Sequence, residues 1–177
     1  MCYYPKTNAD LKKKLYVKLI LEYHPIYSIS PNRENITERP GDYNIEHLVE
    51  QLFEYNCEGQ YKFTDGIHED FSDESECKTG TLHANGQATS AEITNVRSDA
   101  GILKKGSIRA VILNPVLKKL HFFFIPKTAT EKLMSNRTTG KSMWLHYNKK
   151  KNEFTTLNKY GIIEFNTIKE LAMEPNQ

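Results

Sequence analysis

The sequence predicts a mixed α+β domain in which a central mixed sheet is flanked by helices. Apolar residues recur at helical spacing in residues 1–57, so this part is expected to be mainly helical. Short extended runs rich in β-branched and aromatic residues follow in residues 58–126 and predict the sheet. Because 177 residues are enough for one buried core, we expect 1–177 to form a single domain.

Two helices are expected in the N-terminal part. The first covers residues 9–23, where Leu11, Leu15 and Leu19 share one face. The second covers residues 43–56, which carry a similar apolar stripe.

The central part contains four candidate strands, at 61–67, 74–82, 107–113 and 117–125. The last two are expected to form a hairpin, because Asn114 and Pro115 between them are typical turn residues. Residues 83–101 give no firm signal.

The C-terminal part, 127–177, is basic and is expected to close the fold. A helical return is possible after residue 126, and a second hairpin should pair 143–147 with 153–157. A strand at 160–165 and a short helix at 167–173 complete the prediction.

Charge is distributed unevenly along the chain, although the formal net charge is only +2. Residues 1–100 carry 10 Lys and Arg against 17 Asp and Glu, a net −7, whereas residues 101–177 carry 14 against 5, a net +9. A basic half attracts a polyanion, and a compact acidic cluster attracts divalent cations. Solvated faces of a nearly balanced chain explain the same polarity equally well.

The acidic segment 63–79 contains the residues with the clearest chemical pattern. If its two halves pair as an antiparallel hairpin with the turn between Asp70 and Phe71, Asp65 lies opposite Glu76. Lys78, two residues after Glu76, then projects from the same face of the strand. Two carboxylates and one ammonium group would converge on one patch of the sheet.

Such a patch suits Mg²⁺, which takes one or two protein carboxylates and completes its shell with water and phosphate oxygens. A bound divalent ion polarises a phosphate and lowers the pKa of a bound water. An ammonium beside it can orient that water or stabilise charge that develops on the phosphate.

Asp65 followed by Glu76, Cys77 and Lys78 resembles the D…E-x-K signature of the PD-(D/E)xK nucleases, and most resembles small type II restriction endonucleases. Thr64 stands where the family often has a proline. The resemblance implies a restriction-endonuclease-like fold, and metal binding by Asp65, Glu76 and the backbone carbonyl of Cys77. It also implies that Lys78 assists the attacking water.

The resemblance further implies a magnesium-dependent endonuclease that acts on double-stranded DNA as a homodimer, as part of a restriction-modification system. Three further acids are candidates for the site. Asp70 competes with Asp65 for the first carboxylate, while Glu50 and Glu54 on the second predicted helix are better explained as a solvated polar face.

The basic half supplies the candidate DNA contacts. Lysines that neutralise phosphates give sequence-independent affinity, whereas Arg and Asn can read base edges. The candidates are Lys104, Lys105, Arg109, Lys118, Lys119, Asn136, Arg137 and Lys141. The lysines at 149–151 are more simply interpreted as a hairpin tip kept soluble by its charge.

Other classes of protein are disfavoured by the sequence. The three cysteines form no C-x-x-C pair, the six histidines form no metal-binding motif, and no glycine-rich phosphate loop is present. No apolar run is long enough to span a membrane and no signal peptide is recognisable, so a cytoplasmic location is expected. A structure-directed repair, recombination or phage nuclease and a non-catalytic DNA- or RNA-binding module remain as alternatives.

Overall fold

The computed structural model describes residues 8–22, 75–83, 89–97, 103, 106–135, 140–155 and 157–173. The predicted helix at 43–56 and the predicted strand at 61–67 lie outside the described residues, and so does the turn expected at Asp70. The pairing of Asp65 with Glu76 therefore stays a prediction.

Four helices and seven strands are present in the described part of the chain. The helices are α1 (Asn8–Glu22), α2 (Lys127–Met134), α3 (Leu157–Tyr160) and α4 (Ile168–Met173). The strands are β1 (Glu76–His83), β2 (Ser90–Ile93), β3 (Ile108–Asn114), β4 (Lys119–Ile125), β5 (Met143–Asn148), β6 (Glu153–Phe154) and β7 (Ile163–Phe165).

All seven strands join one mixed sheet in the order β6-β5-β2-β1-β3-β4-β7. β1 runs parallel to β3, with Glu76 opposite Ile108, and every other pairing is antiparallel. β1 and β3 therefore lie at the centre, and β6 and β7 are the outermost strands of the described sheet. Helix α2 packs against β5, while α4 packs against β3, β4 and β7.

The core is built around β3, all of whose seven residues are buried. Ile108, Ala110 and Ile112 alternate along one face of β3 and belong to the main apolar cluster, which also takes in Phe123 from β4 and Met134 from α2. β1 contributes Leu82 to this cluster. Glu76 and Lys78 therefore project from the face of β1 that covers the main core.

The predicted mixed α+β class and the central mixed sheet are confirmed. The hairpin of β3 and β4 forms around residues 115–118, as the Asn-Pro signal indicates. The hairpin of β5 and β6, the last strand and the closing helix also form, although β6 has only two residues. β2 was missed in the sequence, because only Ala91 and Ile93 of its four residues are buried.

The part of the chain described here contains no helix that is both long and apolar enough to cross a membrane.

Candidate active site

β1 holds the two described residues of the predicted active site, Glu76 and Lys78. The strand starts at Glu76, whose backbone N–H donates to the carbonyl oxygen of Ser107 at 2.8 Å and so fixes the start of the parallel pairing with β3. Since side chains alternate along a strand, Glu76 and Lys78 share one face. The expected E-x-K geometry on one strand is therefore present.

The side chains of Glu76 and Lys78 form an ion pair. Lys78 Nζ lies 2.8 Å from Glu76 Oε2, and the side chain of Glu76 is 3% exposed while that of Lys78 is 16% exposed. A carboxylate removed from water in this way needs a positive partner to remain charged. The pair thus places one buried anionic oxygen ligand beside one partly exposed ammonium group.

The remaining acids of the predicted site, Asp65, Asp70, Glu50 and Glu54, lie outside the described residues. Within residues that the structure describes, no three or more His, Cys, Asp or Glu side chains are grouped so as to hold a metal ion. The Glu76 carboxylate is the kind of hard oxygen ligand that Mg²⁺ takes. The second carboxylate and the backbone carbonyl of Cys77 stay predictions from the resemblance.

Cys77 is fully buried. It lies opposite Arg109 in the parallel pairing of β1 with β3. Because Cys77 is flanked by Glu76 and Lys78, its side chain points to the other face of the strand.

Arg109 corrects one expectation of the sequence analysis. We expected a surface contact with DNA, but the whole residue is buried. Its guanidinium group donates to Ser75 Oγ, and the guanidinium carbon lies 5.5 Å from the centre of the Phe124 ring. Arg109 is thus an interior residue that contacts Ser75 and Phe124.

The other proposed DNA contacts fall into two groups. Lys118, Lys119 and Lys141 are exposed and accessible to a polyanion. Lys104, Lys105, Asn136 and Arg137 lie outside the described residues, so their role stays a prediction.

A polar network that the sequence analysis did not identify links the buried Asn114 and His121, on β3 and β4, to the exposed Glu164 on β7. Asn114 Oδ1 accepts the backbone N–H groups of Val116 (3.0 Å) and Leu117 (3.2 Å), which leaves its Nδ2 to face His121 Nε2 at 3.0 Å. Nε2 of His121 therefore accepts a hydrogen bond from the Asn114 amide, and the ring proton of His121 lies on Nδ1. His121 Nδ1 donates to Glu164 Oε1 at 2.6 Å.

This hydrogen bond from His121 holds the pKa of Glu164 below its ordinary value of 4.5, and the nearby charge of Lys119 acts in the same direction. His121 and Glu164 line a pocket of about 490 Å³ together with Glu153. The single sequence signal for the network is that His121 breaks an otherwise apolar run in β4. Its partner Glu164 is 43 residues away, so spacing alone gives no indication of the contact.

Comparison with known proteins identifies no relative of this chain: no protein-family model, no curated protein and no solved structure matches it.

Proposed function

We propose that this protein is a magnesium-dependent endonuclease that hydrolyses phosphodiester bonds of double-stranded DNA, and in particular a type II restriction endonuclease. The observation that carries the proposal is the ion pair between the buried Glu76 and the partly buried Lys78 on the central strand. A carboxylate is costly to bury, and such pairs often occur where a protein needs the charges for chemistry.

The proposal assigns one task to each side chain. Glu76, with Asp65 as its predicted partner, would hold Mg²⁺, which supplies charge stabilisation at the scissile phosphate and a more acidic water. Lys78 Nζ lies 2.8 Å from Glu76 Oε2, so its ammonium group is next to whatever Glu76 binds. Lys78 can there donate a hydrogen bond to the attacking water or to a phosphate oxygen.

The low exposure of both side chains strengthens these interactions. Electrostatic attraction increases as water is excluded, so one ammonium group stabilises a phosphate more in this setting than on an open surface. The restriction-endonuclease-like core, the homodimer that places one active site on each strand, and the cytoplasmic location belong to the same proposal.

The test compares cleavage of plasmid DNA in Mg²⁺ by the wild-type protein and by Glu76→Gln and Lys78→Met. Each substitution should lower the cleavage rate by at least about 100-fold, because it removes a group that acts on charge in the transition state. Glu131→Gln and Lys127→Met are matched controls, since they break an exposed Lys–Glu pair on α2 with an N–O distance of 3.9 Å. Both controls should cleave at the wild-type rate.

Circular dichroism and DNA binding in Ca²⁺ separate loss of chemistry from loss of folding in the two active-site variants. Discrete plasmid fragments support the restriction enzyme, whereas a smear favours a structure-directed or nonspecific nuclease. Wild-type protein that binds DNA but never cuts it in Mg²⁺ would contradict the enzyme and leave a DNA-binding module.

A further inference from the structure

A second pocket lies at the outer part of the sheet, between the residue that precedes β2 and the hairpin of β5 and β6. Its volume is about 510 Å³. Its described lining residues are Thr89, Tyr147, Asn148, Lys149, Lys150 and Thr155. This set holds two cationic side chains, three hydroxyl groups and one amide, and no carboxylate. Such a combination favours an anion with several oxygen acceptors.

The turn that carries the two lysines is well ordered by its own hydrogen bonds. Asn148 Oδ1 accepts the backbone N–H groups of Lys150 at 2.9 Å and Lys151 at 3.2 Å. Asn152 closes the four-residue loop with a φ of +53°, a left-handed conformation that Asn tolerates well. The backbone from which Lys149 and Lys150 extend is therefore fixed before any ligand binds.

Thr89 forms the opposite wall of the pocket. Its carbonyl oxygen accepts the backbone N–H of Tyr147 at 3.0 Å, which joins this wall to β5. Its side-chain hydroxyl is buried and has no hydrogen-bond partner among the described residues. A buried hydroxyl that makes no hydrogen bond is unfavourable, so a ligand oxygen that accepts from it would remove that cost.

We propose that this pocket binds a phosphate group, and that in the proposed endonuclease the group is a backbone phosphate of the bound duplex. The assignment to DNA rests on the proposed function, whereas the phosphate chemistry does not. Lys150 and Lys149 supply the charge, and Thr89 supplies a hydroxyl donor, whereas the hydroxyl of Thr155 already donates to the carbonyl oxygen of His146 at 3.4 Å. The sequence alone favoured a merely solubilising role for these lysines, and their position on a pocket wall is what changes the interpretation.

The location of the pocket determines what it does. β2 starts at Ser90, which pairs with His83 at the far end of β1. His83 is seven residues from Glu76, or roughly 23 Å along an extended strand. The pocket is therefore too remote to take part in the chemistry, and a phosphate held there positions the duplex and strengthens its binding.

The first experiment titrates the isotope-labelled wild-type protein with sodium phosphate and follows backbone amide shifts by NMR. Saturable shifts at Thr89, Lys149 and Lys150 are expected. Lys150→Ala and Thr89→Val should each abolish or weaken them, whereas Lys169→Ala on α4 should leave them unchanged. No saturable shift in the wild-type protein would overturn the proposal.

The second experiment measures duplex DNA binding in EDTA, where no metal supports cleavage, over a range of salt concentrations. Lys150→Ala should weaken binding roughly fivefold and lower the slope of log K against log salt by about 0.9, the loss of one phosphate contact. Lys169→Ala should change neither quantity. Phosphate binding without any effect of Lys150→Ala on DNA would identify a free phosphate compound as the ligand and overturn the assignment to the DNA backbone.

The two proposals fail independently in these assays. A protein that binds phosphate at Thr89 and Lys150 but never cuts DNA in Mg²⁺ refutes the endonuclease alone. A protein that cuts DNA but shows no phosphate shifts refutes the pocket alone.

Discussion

The tautomer of His121 is determined by its two hydrogen-bond partners, Asn114 and Glu164. His121 is buried among aromatic rings and stacks on Phe123 with ring centroids 5.7 Å apart. Asn114 donates a hydrogen bond to Nε2 of His121, and Glu164 accepts a hydrogen bond from its Nδ1–H group. Because both ring nitrogens are engaged, His121 is held in one tautomer and joins β3 and β4 to the outer strand β7.

Glu164→Gln should lower the free energy of unfolding by about 1 kcal/mol at pH 7, a charge-assisted hydrogen bond discounted for a side chain that is 40% exposed. Its pKa is lowered in the folded state, so its contribution is present above 4.5 and is lost as the pH falls through the folded-state pKa. Urea denaturation of the wild-type protein and Glu164→Gln from acidic to neutral pH measures the difference in their free energies of unfolding. This difference should shrink in acid.

Glu153→Gln is the control for this prediction, because Glu153 is an exposed carboxylate that lines the same pocket. If the difference in free energy of unfolding between wild type and Glu164→Gln does not change with pH, the ionised carboxylate of Glu164 is not its cause.

At the scale of elements, Gly80 allows three strands to meet at the centre of the sheet. A Cβ atom at this position would collide with the carbonyl oxygen of Glu92 on β2 and lie 2.8 Å from Ile112 Cδ1 on β3. The glycine follows Lys78 by two residues on the same face of β1. The close approach of β2 and β3 to β1 therefore requires the absence of a side chain.

Gly80→Ala should destabilise the protein by about 1–3 kcal/mol, because backbone must shift to admit the methyl group. Thermal and urea unfolding measure the cost. Thr81→Ala, on the adjacent residue and the other face of β1, should cost less, since it removes atoms from a half-buried position. Equal stability of Gly80→Ala and the wild type would show that β2 moves away without cost.

The sequence predicted the elements whose signals are local. The aromatic and β-branched residues of β3 and β4, the Asn114 turn between them and the leucine spacing of α1 each specify one element from its own residues. β2 and the parallel pairing of β1 with β3 gave no such signal, because a short strand and a distant partner depend on neighbours supplied by the fold.

At the scale of the whole molecule, stability should be greatest at the centre of the sheet and least at its edges. β3 is buried along its full length and pairs with β1 on one side and β4 on the other. β6 contributes two residues that pair only with β5 among the described strands. Opening of the outer strands therefore exposes far less apolar surface than opening of β3.

Hydrogen–deuterium exchange followed by mass spectrometry should find the slowest amide exchange in β3 and β4, and exchange faster by at least about tenfold in β6. The measurement uses the wild-type protein at neutral pH. Equally slow exchange in β6 would show that the outer hairpin unfolds only with the whole domain.

The sequence by itself determined the α+β class, most of the local elements and the placement of Glu76 and Lys78 on one face, because a strand fixes side-chain direction with a period of two. Only the tertiary structure decided which charges face water. Arg109 and the lysines at 149–151 look alike as charged residues in the sequence, yet the first is buried beside Ser75 and Phe124 and Lys149 and Lys150 line an open pocket. Burial depends on residues that are distant in the chain, and no local pattern records them.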